Sequence, residues 1–107
     1  NKQEPTGVDI ELVREKVLKV KHKFLNEAEL AVAGNDCEKL ITFWAAKEAL
    51  YKVYGLKELN FKENLAVELI DASTISGSIF AGTFKKKYRL VSETNGEYRL
   101  VYVKHEI

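Results

Sequence analysis

Cysteine is nearly absent: Cys37 is the only one in 107 residues, which excludes an internal disulfide and any multi-cysteine zinc site. Net charge is also nearly absent, since 17 Lys and Arg stand against 16 Asp and Glu, leaving +1. A balance this even argues against bulk electrostatic binding of nucleic acid or of an anionic membrane surface. No apolar run approaches a membrane span, and the opening residues do not read as a signal peptide. The expected setting is soluble, reducing and cytoplasmic. Methionine is missing altogether, and the chain enters a strand-like segment almost at once. Residues 1–107 are therefore expected to form a single domain, and such a start equally suits a fragment that lacks upstream sequence. The apolar content of 46% is enough for one modest core, and the charged content of 31% gives an ordinary surface.

TGVDIEL (6–12) alternates, with Val8, Ile10 and Leu12 on one face and Asp9 and Glu11 on the other, the period of a half-buried strand. Val13, Val17, Val20 and Phe24 then recur at helical steps, predicting a helix over 13–25. Asn26 followed by Glu29 forms a capping box for a second helix. Asp36 caps the longest helix, about 37–54, and Gly55 ends it. Beyond a connector, residues 65–71, 76–84, 86–93 and 97–103 alternate as strands, with a hairpin signal at Asn95-Gly96. The order is a strand, two or three helices, then an antiparallel sheet: an α+β fold.

Two places carry chemistry. Asp9 and Glu11 project from one strand face, roughly 7 Å apart at the backbone, and two carboxylates that close repel unless water or a cation lies between them. An isolated D-x-E is also the ordinary solvated face of a strand. On the long helix, Trp44, Lys47, Glu48, Tyr51 and Lys52 span an arc of roughly 140°, while the opposite side is apolar too. Both sides are thus expected to be buried, and charges there need partners. Glu48 and Lys52 stand in the favourable i, i+4 order, which accounts for both as an intrahelical pair. Lys47 has no such partner, and an anionic ligand would supply one. Cys37, His22 and His105 have no spacing that suggests catalysis or ligation, and Lys85-Lys86-Lys87 reads as a guard at a strand edge or turn, the alternative being contact with an acidic protein or a phosphate. Tyr88, Arg89, Tyr98 and Arg99 read as cross-strand pairs.

GVDIE (7–11) followed by FWAAKEALYK (43–52) resembles the signature of the 4′-phosphopantetheinyl transferases, G-[IV]-D-x-E … W-x-x-K-E-[AS]-x-x-K. KFLNEAEL (23–30) is similar to the intervening segment of that family, and the full D-I-E form with the Trp resembles its larger, Sfp-like type. The short length resembles the holo-acyl-carrier-protein synthases instead. The resemblance implies Mg²⁺-dependent transfer of the 4′-phosphopantetheine arm of coenzyme A to a serine of an acyl or peptidyl carrier protein, releasing 3′,5′-ADP. It implies Asp9, Glu11 and Glu48 as metal ligands, with Glu48 also activating the serine and Lys52 acting in catalysis. Lys47 and Lys52 would contact coenzyme A, and Trp44 would pack beneath the site. Glu29 matches a glutamate that some members place beside the metal, although its capping box already accounts for it. The Sfp-like type is similar to two such units in tandem, so a homo-oligomer or a missing N-terminal half is implied. The alternative is a non-catalytic interaction module or pseudoenzyme with the same fold.

Overall fold

The computed structural model describes residues 7–55 and 57–107. Thr6, at the start of the predicted first strand, and Leu56 in the connector lie outside them. The elements are β1 (Val8–Leu12), α1 (Val17–Phe24), α2 (Glu27–Ala33), α3 (Cys37–Tyr54), β2 (Leu65–Leu69), β3 (Thr74–Ala81), β4 (Phe84–Asn95) and β5 (Tyr98–Glu106). The five strands form one antiparallel sheet in the order β1-β5-β4-β3-β2. The α+β expectation holds. No helix among the described residues is long and apolar enough to cross a membrane.

Helix α3 lies across one face of the sheet and touches β5, β1, β3 and β2. Leu40, Phe43, Ala46 and Leu50 from α3 meet Leu65, Ile75, Ile79, Leu90 and Val101 from the sheet in one core. Both ends of α3 are capped as the sequence predicts. Asp36 accepts from the amides of Glu38 (3.0 Å) and Lys39 (3.2 Å), and Gly55 closes the helix at φ 103°. Burial on both sides of α3 follows from its small residues: Ala45, Ala46 and Ala49 are all fully buried.

Two boundaries differ from expectation. Val13 is not helical, because its amide donates to Glu97 O at 2.8 Å and prolongs the β1–β5 edge; a turn of i→i−3 bonds then leads into α1 at Val17. Residues 76–84 are not one strand. The chain reverses at Gly82-Thr83, with Ala81 opposite Phe84 and Gly82 at φ 63°. The β4–β5 hairpin has the same plan, Asn95 pairing with Tyr98 around Gly96-Glu97, with Gly96 at φ 62°. The glycine occupies the first loop position in both, so Asn95 is the last paired residue and not part of the turn. Lys85, Lys86 and Lys87 consequently follow a turn within β4, an interior strand, and guard no sheet edge.

Candidate active site

Edge strand β1 comes very close to α3. A Cβ on Gly7 would lie 2.2 Å from the carbonyl oxygen of Ala49, so only glycine permits this approach. The approach turns Asp9 and Glu11 towards the helix and leaves Val8 and Ile10 outside, 47% and 57% exposed. Asp9 is buried, and its Oδ1 accepts from Lys52 Nζ at 3.0 Å. The same ammonium donates to Val8 O at 2.7 Å, so Lys52 is fastened to β1 and not to Glu48 one turn away. Asp9 Oδ2 is buried and has no hydrogen-bond partner.

Glu11 lies beside Asp9 and the Trp44 indole, which act on its carboxyl in opposite directions, Asp9 raising its pKa and Trp44 lowering it. Burial and the adjacent Asp9 carboxylate push the Glu11 carboxyl from its ordinary 4.5 up to about 7, with Glu48 adding a smaller push in the same direction. Burial and then Asp9 also raise Glu48, against the pull of Lys52. Three carboxylates thus sense one another beside a single ammonium. If all were ionised, the surplus of negative charge would match a divalent cation.

Among the described residues no three His, Cys, Asp or Glu side chains are grouped closely enough to hold a metal ion as they stand. Asp9 and Glu11 are together, and Glu48 stands further off within their electrostatic field. The donor set nevertheless fits Mg²⁺ in kind: hard carboxylate oxygens, a Glu11 carboxyl raised by burial and then by the neighbouring Asp9, and a buried Asp9 oxygen without a hydrogen-bond partner.

Lys47 departs from the expectation of a coenzyme A contact. It is fully buried, and Nζ donates to Glu29 Oε1 (2.7 Å), Phe24 O (2.8 Å) and Phe61 O (2.7 Å), which uses all three protons and leaves none for a phosphate. Burial pushes its pKa down and Glu29 pulls it back up. Glu29 is equally committed. It completes the capping box with Asn26 (2.9 Å in both directions) and accepts the Val67 amide of edge strand β2 at 2.7 Å. Both its oxygens are engaged within the fold, with Lys47 as their cation. Arg99 likewise is more than a cross-strand partner of Thr94. It is buried against α3, bonded to Thr94, to Thr42 (3.1 Å) and to Glu38 (3.0 Å).

Beside Glu11 opens a cleft of about 630 Å³. Its floor and walls are apolar, made by Val17, Val20, Phe24, Ile41, Trp44 and Phe61, and Arg14, Lys16 and Lys23 also line it. These basic residues and Phe61 are not apparent from the sequence. The helical stripe Val17, Val20, Phe24 supplies part of this lining, with Val20 only half-buried.

The sequence model of the 4′-phosphopantetheinyl transferase superfamily matches residues 5–103. The chain belongs to this superfamily. Its members transfer a phosphopantetheinyl group, with coenzyme A as donor and carrier proteins as partners in general, and the match spans β1 through most of β5. No curated protein matches the chain.

Proposed function

We propose that this transferase moves the 4′-phosphopantetheine arm of coenzyme A to a serine of an acyl or peptidyl carrier protein in a Mg²⁺-dependent reaction of the holo-acyl-carrier-protein synthase type. The reading rests above all on the Asp9–Glu11–Glu48 cluster, which faces one ammonium and contains a buried carboxylate oxygen without a partner. Asp9 and Glu11, with Glu48 opposite, would hold the metal. Bound there, Mg²⁺ supplies neutralisation for the pyrophosphate of coenzyme A. The serine hydroxyl attacks the phosphorus that carries the pantetheine arm, the bond to the bridging oxygen breaks, and 3′,5′-ADP leaves. Glu48 takes the serine proton on its carboxylate, a task favoured by its raised pKa. Lys52 spends two protons on Val8 O and Asp9, and its third is open to a phosphate oxygen; its side chain is 38% exposed. Trp44 stands beside Glu11, favours its ionised form and forms part of the cleft wall. The basic lining of that cleft suits an acidic carrier protein.

Incubation with coenzyme A, Mg²⁺ and an apo carrier protein, followed by mass spectrometry, tests the reading. The parent should add the arm to the carrier, and Asp9→Asn and Glu48→Gln should fold but lose on the order of a hundredfold or more in rate. Parent-like rates in either variant at saturating Mg²⁺ would refute the assignment of the cluster. No transfer by the parent would favour a non-catalytic module of the same fold.

A further inference from the structure

Among the buried charges that the proposed chemistry leaves unused, Lys47 is the one bonded to residues of the cleft wall. The Lys47 ammonium sits behind the cleft and reaches the backbone of two of its walls: Phe24 O, at the end of α1, and Phe61 O, in the connector between α3 and β2. The rings of these two residues close on Trp44 in front, with centroids 5.0 Å and 5.5 Å from the indole. Lys47 follows Trp44 by about one turn of α3, so a single helix segment holds both walls, by charge from behind and by ring contact in front. Hydrogen bonds of the connector through Asn60 and Asn64 run within the connector and to Phe80 of β3. They do not set its distance from α1. Burying an ammonium is costly, and the three short bonds from Nζ compensate for that only while both walls stay in place. The charge therefore favours one cleft width over others.

We propose that Lys47 is a positioning residue: it fixes the separation of the Phe24 and Phe61 walls around Trp44, and so tunes recognition of the carrier protein without touching substrate. The kinetic part rests on the transfer reaction proposed above. The structural part does not.

Trp44 is the only tryptophan in the chain, so its fluorescence reports on the cleft alone. In Lys47→Met, acrylamide quenching of Trp44 should rise at least about twofold. The KM for an apo carrier protein should rise about tenfold, with kcat within about twofold of the parent. Phe61→Ala should raise the same KM, and the double variant should be no worse than the worse single one, because both changes release one wall. Parent-like quenching in a folded Lys47→Met, or a loss confined to kcat, would overturn the inference. If Lys47→Met fails to fold because Glu29 is left unpaired, Lys47→Met/Glu29→Gln removes both charges and is judged by the same quenching criterion. A parent that transfers nothing would refute the proposed reaction, and the quenching result would still decide the role of Lys47.

Discussion

Replacing Gly7 by alanine should separate the fold from the reaction. The added methyl carbon would lie 2.2 Å from the Ala49 carbonyl oxygen and 2.6 Å from Val53 Cγ2. Ordinary contact needs well over 3 Å, and the carbonyl belongs to the hydrogen-bonded backbone of α3, so β1 itself must retreat by about 1 Å. Overpacking of this kind costs about 1–3 kcal/mol, which lowers Tm by roughly 5–15 °C in a domain of this size. The retreat also draws Asp9 away from Lys52, now at 3.0 Å, and shifts Glu11 relative to α3. A misplacement of about 1 Å in a reacting array can cost about a hundredfold in rate. Gly77→Ala is the matched control. Its Cβ would meet only the ends of Leu50 and Leu90, at 2.8 and 3.0 Å, which can rotate, and β3 carries none of the carboxylates. Thermal melts and arm transfer should both be measured well below the lower Tm. Gly7→Ala should lose about two orders of magnitude in rate while still folded, and Gly77→Ala no more than a few-fold. Equal rate losses in the two variants, or a parent-like Gly7→Ala, would refute the idea that this glycine sets the geometry of the cluster.

Three further outcomes are expected. The folded chain holds a proton on Glu11 that the unfolded chain releases, so without metal the unfolding free energy should fall as pH rises from 4.5 to about 7 and then level off. Under the proposed metal role of Glu11, Mg²⁺ must displace that proton, so calorimetric titration should show proton release and roughly tenfold weaker binding per unit below pH 7; affinity independent of pH would contradict this. Separately, Val8, Ile10 and Tyr98, with their cross-strand partners Tyr102, Leu100 and Leu12, form an apolar patch on the sheet face away from α3. A second copy of the chain should cover it. Light scattering should then find an oligomer that Leu100→Glu dissociates; a parent monomer at tens of micromolar would refute self-association through this face.

The elements were legible wherever local chemistry decides them. The Asn26–Glu29 box, the Asp36 cap and the Gly55 stop are short-range devices, and all three stand where the spacing puts them. The hairpin positions were less legible, because alternation continues through Phe80-Ala81 and does not reveal that Gly82 takes a positive φ. In the site, the strand period correctly separates Asp9 and Glu11 from Val8 and Ile10. The partners of the lysines could not be read, since they come from distant segments: Glu29 and Phe61 for Lys47, and Val8 and Asp9 for Lys52. Helical spacing offered Glu48 for Lys52 as a local partner, and the close approach of β1 allowed by Gly7 supplied a different one.

Lys47 and Glu48 show how one short motif can serve two purposes. Adjacent helical residues point about 100° apart, so on a helix buried from both sides they enter different surroundings. Lys47 turns towards α2 and the connector, where the Glu29 carboxylate and two carbonyls satisfy it completely. Glu48 turns towards β1, where burial and the Asp9 carboxylate raise its pKa against the pull of Lys52. Exchanging the two residue types would place a carboxylate against Glu29 and an ammonium among carboxylates. That arrangement would neutralise the cluster internally, and the metal site proposed for Asp9 and Glu11 would lose its electrostatic basis. The order Lys then Glu therefore commits one charge to the fold and leaves the other facing like charge, available for the role proposed for it.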